Sequence, residues 1–243
     1  QEEDSQEEDS HDSRPEPGDQ ERRNRRSGLR HLTMTARYIA FEGGEGSGKS
    51  TQARRLAERV DALVTREPGG TPLGAELRRI LLDVDGPGVG ARAETLLMAA
   101  DRAQHLVELV EPALAGGRHV ISDRTAYSSL AYQGGGRQLG VDAVRAVNEW
   151  AIGGRWPDAV VLLDVEPEVA HRRLGSSRDR LEQETVEFHE RVAAVFRSLA
   201  DAEPDRWYVF DGSQNIEEVE AAVWQRLAPL FEPDTSVPKA TSR

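Results

Sequence analysis

Gly43, Gly48, Lys49 and Ser50 stand in the stretch FEGGEGSGKST, residues 41–51, and satisfy the pattern G-x-x-x-x-G-K-[ST]. The chemistry of that pattern is phosphate binding. Glycine is costly to order, so four of them in eleven residues call for a reason. One is a loop that aims successive backbone N–H groups, backed by the positive end of a helix, at a single anion. Side chains at Gly43, Gly46 or Gly48 would hinder the approach of a polyphosphate. Lys49 would bridge the β- and γ-phosphates, and Ser50 would offer its hydroxyl to Mg²⁺. The candidate ATP loop comprises Gly43, Gly44, Glu45, Gly46, Ser47, Gly48, Lys49, Ser50 and Thr51. The plain alternative is a glycine-rich turn with an incidental lysine, and only the surrounding elements can separate the two.

Arginines supply the second set. Arg66 ends a short apolar run, Arg124 follows Asp123 at the end of another, and HRRLGSSRDRLEQE (171–184) carries Arg172, Arg173, Arg178 and Arg180. Bringing two polyanions together needs cations to offset repulsion and hold the reacting oxygens in line. The N-K-x-D motif of GTPases is absent, and DVDG at 83–86 matches their D-x-x-G only in a Gly/Pro-rich loop. The set therefore points to a kinase with a phosphorylated acceptor.

The elements that must position these groups are legible as alternation. Candidate strands are YIAFE (38–42), ALVT (62–65), HVISD (119–123), AVVLLDV (159–165) and WYVFD (207–211), nearly continuous in hydrophobicity, as strands covered on both faces are. Ala53, Leu56, Ala57 and Val60 recur at helical spacing after the first run, as do Leu96, Leu97, Ala100, Ala103, Leu106, Val107 and Val110 further on. Strands alternating with helices imply one three-layer α/β domain with a parallel sheet. The glycine loop then lies between a strand ending at Glu42 and a helix beginning near Ser50, the context a phosphate loop requires.

Composition bounds the rest. The 243 residues include no cysteine, which excludes disulfides and thiolate metal sites. No apolar run approaches the ~18 residues that cross a bilayer, and a net charge of −12 argues against a general nucleic-acid binder. Residues 1–36 run from an acidic block into Arg22, Arg23, Arg25 and Arg26 with almost nothing to bury, and are expected to be a disordered linker or tail. The folded unit is expected over 37–231 and a second loose tail over 232–243. The chain opens on Gln and Met34 precedes the first strand, so one reading makes it a fragment of a longer polypeptide with residues 1–33 as a linker.

Five segments in order resemble the bacterial thymidylate kinases: FEGGEGSGKSTQ, TREPGGTPLG, ADRAQH, SDRTAYSSLAYQGGGR and RDRLEQE, together spanning about 37–230. The resemblance implies a P-loop kinase fold with a five-stranded parallel sheet and a short helical lid. The implied reaction is transfer of the ATP γ-phosphoryl to dTMP, with Mg²⁺. It further implies a cytoplasmic homodimer, with no nucleic-acid partner and no membrane insertion. Residue by residue, Arg66 and Arg124 would clamp the dTMP phosphate, and Asp123 would orient Mg²⁺ water or the attacking phosphate. Arg102 would read a thymine carbonyl, with Ser129 and Gln133 on the same base edge. Tyr132 would crowd the sugar 2′ position, unless it is an ordinary core tyrosine, and Glu45 would accept from the 3′-OH. Some members carry the transition-state arginine after the P-loop acid, where this chain has Gly46. The resemblance therefore assigns that charge to the lid, with Arg178 and Arg180 as the candidates. Where the family usually has a stacking phenylalanine, four residues before Arg102, this chain has Met98. Two alternatives stay open at this point: another P-loop (deoxy)nucleotide or nucleoside kinase, and a nucleotide-sensing domain of a larger polypeptide.

Overall fold

The computed structural model describes residues 35–86, 88–173 and 179–232. Five strands form: β1 (Tyr38–Glu42), β2 (Leu63–Arg66), β3 (Val120–Asp123), β4 (Ala159–Asp164) and β5 (Trp207–Asp211). They pair in parallel in the order β2-β3-β1-β4-β5. Strands β1 and β5 match the expected segments, whereas β3 starts one residue later than HVISD and β4 ends one residue earlier than AVVLLDV. The shift in β2 has a consequence for the site. That strand runs one residue later than ALVT, so Arg66 lies inside it and pairs in register with Asp123.

The helices are α1 (Lys49–Val60), α2 (Pro72–Leu82), α3 (Ala91–His105), α4 (Glu111–Ala115), α5 (Ala126–Ser129), α6 (Val141–Ile152), α7 (Pro167–Arg173), α8 (Val186–Ala202) and α9 (Ile216–Leu227). Wide π-helical turns at Leu106–Val110 and Leu130–Gly136 follow α3 and α5. Caps fix several starts: Thr71 accepts from Gly74 N with Pro72 at the first turn of α2, Thr185 caps α8, and Asn215 with Glu218 forms a capping box on α9.

Both faces of the sheet are covered, which is why the strands read as unbroken apolar runs. Alternation along β1 and β4 sends Ala40, Val160 and Leu162 to one face, against Met98, Tyr127, Val144 and Phe196. The other face takes Ile39, Phe41, Val161 and Leu163, against Ala53, Leu56, Val219 and Val223. Each large apolar side chain buried this way contributes about 1.5–3 kcal/mol. The sheet thereby becomes a rigid platform whose C-terminal edge carries Glu42, Arg66 and Asp123 side by side.

The residues at helical spacing over 96–110 divide between two faces of α3 and the π turn after it: Leu106 and Val110 are buried and Leu97 packs against the core, whereas Leu96 is 59% exposed, Val107 72% exposed, and Ala100 exposed between them. The buried face is Glu94, Thr95, Met98, Asp101, Arg102 and His105. Its ionisable groups are met by partners from other elements: Glu94 by Gln133 and Arg137, Asp101 by Gly69, Arg102 by Glu67 and Asn148, and His105 by Glu67.

Candidate active site

A cleft of about 940 Å³ opens at the C-terminal edge of β1, β2 and β3. Lys49, Arg54, Arg66, Arg78, Arg102 and Arg124 line it together with the acids Glu45, Glu67, Asp123, Asp179 and Glu182. This is where ligands gather in open α/β sheets.

The glycine loop forms one wall. Gly43, Gly46 and Gly48 have φ of +139°, +71° and +93°, conformations that disfavour any side chain. The steric reason differs from the one read in the sequence. A Cβ on Gly43 would lie 2.5 Å from the Leu163 carbonyl oxygen, and one on Gly46 would lie 2.5 Å from that of Ala170 in α7. The protein's own backbone therefore excludes side chains at both positions. Nothing lies within 4 Å of a Cβ on Gly44 or Gly48. Lys49 opens α1 and folds back, its Nζ donating to the Gly44 carbonyl at 2.6 Å and to Ser47 Oγ at 3.3 Å. Burial, helped by Arg124, lowers its pKa against the pull of Glu45 and Asp123.

Ser50 Oγ donates to Asp123 Oδ2 at 2.5 Å. Asp123 Oδ1 is buried and has no hydrogen-bond partner among the described residues. A hydroxyl and an orphaned carboxylate oxygen are the hard donors a magnesium ion takes, with the rest of its shell coming from phosphate and water. The residues fit that ion.

Arg124 sits at φ +74° directly after β3. Its Nη1 donates to the Gly43 carbonyl and Ser128 Oγ, and its Nη2 to Glu45 Oε1 at 2.5 Å and Tyr132 OH at 3.0 Å, with its carbon 4.8 Å over the Tyr132 ring. Burial pushes the Glu45 carboxyl up, but Arg124 and Lys49 together outweigh it and bring it down to about 2. Glu45 also accepts from Tyr132 OH at 3.0 Å, which joins the two candidate sugar readers. Beneath this group the buried Glu42 accepts from Thr125 N and Oγ1 and from Ser128 Oγ, holding the turn that aims Arg124. Burial raises the Glu42 pKa.

Across the cleft, Arg66 and Arg78 flank Gly69. A Cβ there would lie 2.9 Å from Arg78 Cδ and 3.7 Å from Arg66 Nε. Arg78 comes from α2 and was not singled out in the sequence, where it reads as one of two solvated arginines in ELRRIL. Burial and then Arg66 depress its pKa against the pull of Asp179 and Glu45.

The inner wall is built by buried side chains. Arg102 Nε donates to Glu67 Oε2 at 2.6 Å, its Nη1 to Ser129 Oγ and Asn148 Oδ1, and its Nη2 to the Thr125 carbonyl at 3.1 Å. Four of its five N–H groups are thus committed to protein, leaving one on Nη2 without a partner among the described residues. Glu67 takes His105 Nδ1 on its other oxygen at 2.8 Å. Burial raises the Glu67 carboxyl, yet Arg102 and His105 reverse the shift and hold it low. Asp101 Oδ1 accepts from Gly69 N at 2.9 Å, while its Oδ2 is buried and unpartnered among the described residues. Burial, and Glu67 nearby, push Asp101 up to about 6. Met98, Ser129, Tyr132 and Gln133 line the same cleft, and Met98 also belongs to the core cluster on that face of the sheet. Glu67, Asn148 and Glu42 were not legible as site residues, because an isolated acid or amide in sequence carries no sign of its buried partner.

The lid arginines are dispersed. Arg173 at the end of α7 donates to the Gly212 and Ser213 carbonyls after β5. Arg180 Nη2 donates to the Asp83 carbonyl at 2.8 Å, and its backbone N to Leu82 O. Arg172 lines a smaller recess under the glycine loop. Arg178 lies outside the described residues, as do both expected tails but for a few residues beside the folded unit. Among the described residues no helix is long and apolar enough to cross a membrane.

The family model described as Thymidylate kinase matches residues 41–223. The chain is 46% identical over 204 residues to the thymidylate kinase of Halothermothrix orenii, covering 80% of this chain and 97% of that protein. It is 47% identical over 205 residues to that of Bifidobacterium longum, covering 81% and 100%, and 49% identical over 198 residues to that of Leifsonia xyli, covering 78% and 93%.

Proposed function

The chain belongs to the thymidylate kinase family, and from that premise we propose how its cleft carries out the ATP-dependent phosphorylation of dTMP to dTDP. The observation that supports the assignment of roles is convergence. The Lys49 loop, the cations Arg66, Arg78 and Arg124, and the polar base wall all face one cavity.

The ATP phosphates lie on the loop from Gly43 to Thr51, with Lys49 exchanging the Gly44 carbonyl for the β- and γ-oxygens. Ser50 and Asp123 hold Mg²⁺, which when bound neutralises charge on those phosphates. Arg66, Arg78 and Arg124 grip the dTMP phosphate with guanidiniums that stay charged, Arg124 after giving up part of its bonds to Gly43, Ser128, Glu45 and Tyr132. A phosphate oxygen of dTMP forms the new bond to the γ-phosphorus as the bond to the β-phosphate oxygen breaks. That oxygen is already anionic, so positioning and charge stabilisation do the catalytic work. Arg178 and Arg180 supply positive charge to the transferring group from the lid, Arg180 after releasing the Asp83 carbonyl. Glu45 accepts from the sugar 3′-OH, Tyr132 crowds the 2′ position, and Arg102, Ser129 and Gln133 read the base over Met98.

Assembly as a cytoplasmic homodimer belongs to the same proposal. The exposed residues Leu96 and Ala100 on α3 and Val107 in the π turn after it support it, since such a stripe is better covered than wet. A coupled assay of ADP formation with dTMP, dUMP, CMP and thymidine tests the assignment. Selective turnover of dTMP is expected, and equal turnover of thymidine would refute a site built around an acceptor phosphate.

A further inference from the structure

We infer that Glu94, held by Arg137, sets the amide polarity of Gln133 and thereby selects pyrimidines that carry a proton on N3. The inference rests on reading this cleft as the dTMP site. Gln133 lies in the π-helical turn after α5 and is 1% exposed. Its Nε2 donates to Glu94 Oε1 at 2.9 Å. Glu94, 2% exposed in the first turn of α3, is bound by Arg137 through Nε to Oε1 at 3.2 Å and Nη2 to Oε2 at 2.9 Å. Arg137 is itself held by Glu184 at 2.5 Å and lies 4.9 Å over the Phe188 ring.

A carboxylate engaged on both oxygens by a guanidinium offers acceptors only. The Gln133 amide must then turn its NH₂ toward Glu94, since the flipped amide would set oxygen against oxygen. Its carbonyl oxygen is left without a donor among the described residues, on a side chain that lines the cleft. Arg102, which lines the same cleft, keeps one N–H uncommitted among the described residues. An acceptor and a donor lining one cleft complement the N3–H and O4 of thymine or uracil. Cytosine presents the reverse, a bare N3 and an N4 amino group, and meets like with like on both atoms. Glu94 touches no base atom and acts through Gln133, as a positioning residue.

Glu94→Gln tests the inference, because a neutral amide can donate to a flipped Gln133. The readout is the ratio of kcat/KM for dTMP over dCMP, with dUMP as a control that retains N3–H. The ratio is expected to fall about tenfold or more, with dTMP over dUMP unchanged within about twofold. Glu94→Asp keeps the acceptor and is expected to hold the dTMP to dCMP ratio within about threefold. An unchanged ratio in a folded Glu94→Gln protein overturns the inference. If that variant does not stay folded, a collapsed ratio in Glu94→Asp overturns it equally. Both outcomes leave the dTMP assignment standing, whereas a wild-type enzyme that does not prefer dTMP over dCMP sinks that assignment and this inference with it.

Discussion

The two halves of the cleft are held by different means. The donor half is backbone: a glycine loop seated on the Leu163 and Ala170 carbonyls, with Lys49 folded onto a carbonyl of its own loop. The acceptor half is side chain: Glu67 with Arg102 and His105, Glu42 with Thr125 and Ser128, Glu94 with Gln133 and Arg137. A backbone cradle needs particular residue types at fixed spacing and reaches any polyphosphate. A side-chain network needs partners from distant elements, and it is what distinguishes one acceptor from another.

The comparison can be broken most forcefully at Glu67. Glu67→Ala leaves Arg102 buried without its charge partner, and such losses cost about 3–5 kcal/mol. Chemical denaturation is expected to show that drop, and a loss under about 1 kcal/mol would mean the inner wall is not held by this pair. Lys49→Ala acts in the opposite way, on rate and not on fold. Removing one preorganised charge contact lowers kcat by about 10²–10³-fold, or about 3–4 kcal/mol, with little change in Tm. Near-normal turnover would remove the loop from the chemistry.

Asp101 sharpens the contrast through pH. Its pKa is raised from 3.8 to about 6, so the folded state holds the proton more tightly than the unfolded chain does. The ionised form is therefore a cost to the fold, fully present above pH 6 and relieved as pH falls toward 4. Asp101→Asn removes the titration. Its stability relative to wild type is expected to rise by about 2–3 kcal/mol between pH 4 and pH 7, most of it below pH 6. A flat difference across that range would show that Asp101 is not so buried in solution.

The smallest effect is expected at Met98, where cleft and core meet. A phenylalanine there gains an aromatic stack of about 0.5–1.5 kcal/mol, tightening dTMP by about two- to twelvefold. Calorimetric titration with parallel melts decides between this and overpacking, which would lower Tm without improving affinity.

The amino-acid sequence by itself determined the alternation of strands and helices, the five-stranded parallel sheet and the glycine loop. These depend on local pattern, on apolar runs at Tyr38–Glu42 and Ala159–Asp164 and on glycines where only glycine fits. It also brought Arg66, Arg102 and Arg124 to notice through their motifs, and the family with them. Tertiary structure alone decided which face of α3 is buried. Leu96, Ala100 and, just after the helix, Val107 lie outside although Leu106 and Val110 of the same pattern are buried, because Glu67, Gln133 and Asn148 arrive from other elements to satisfy the polar face. It alone disclosed Arg78 beside Arg66, and it alone showed that four of the N–H groups of Arg102 serve the protein before any ligand. A buried charge is tolerable only with its partner, and partners 35–46 residues apart in the chain are a property of the fold, not of any stretch of sequence.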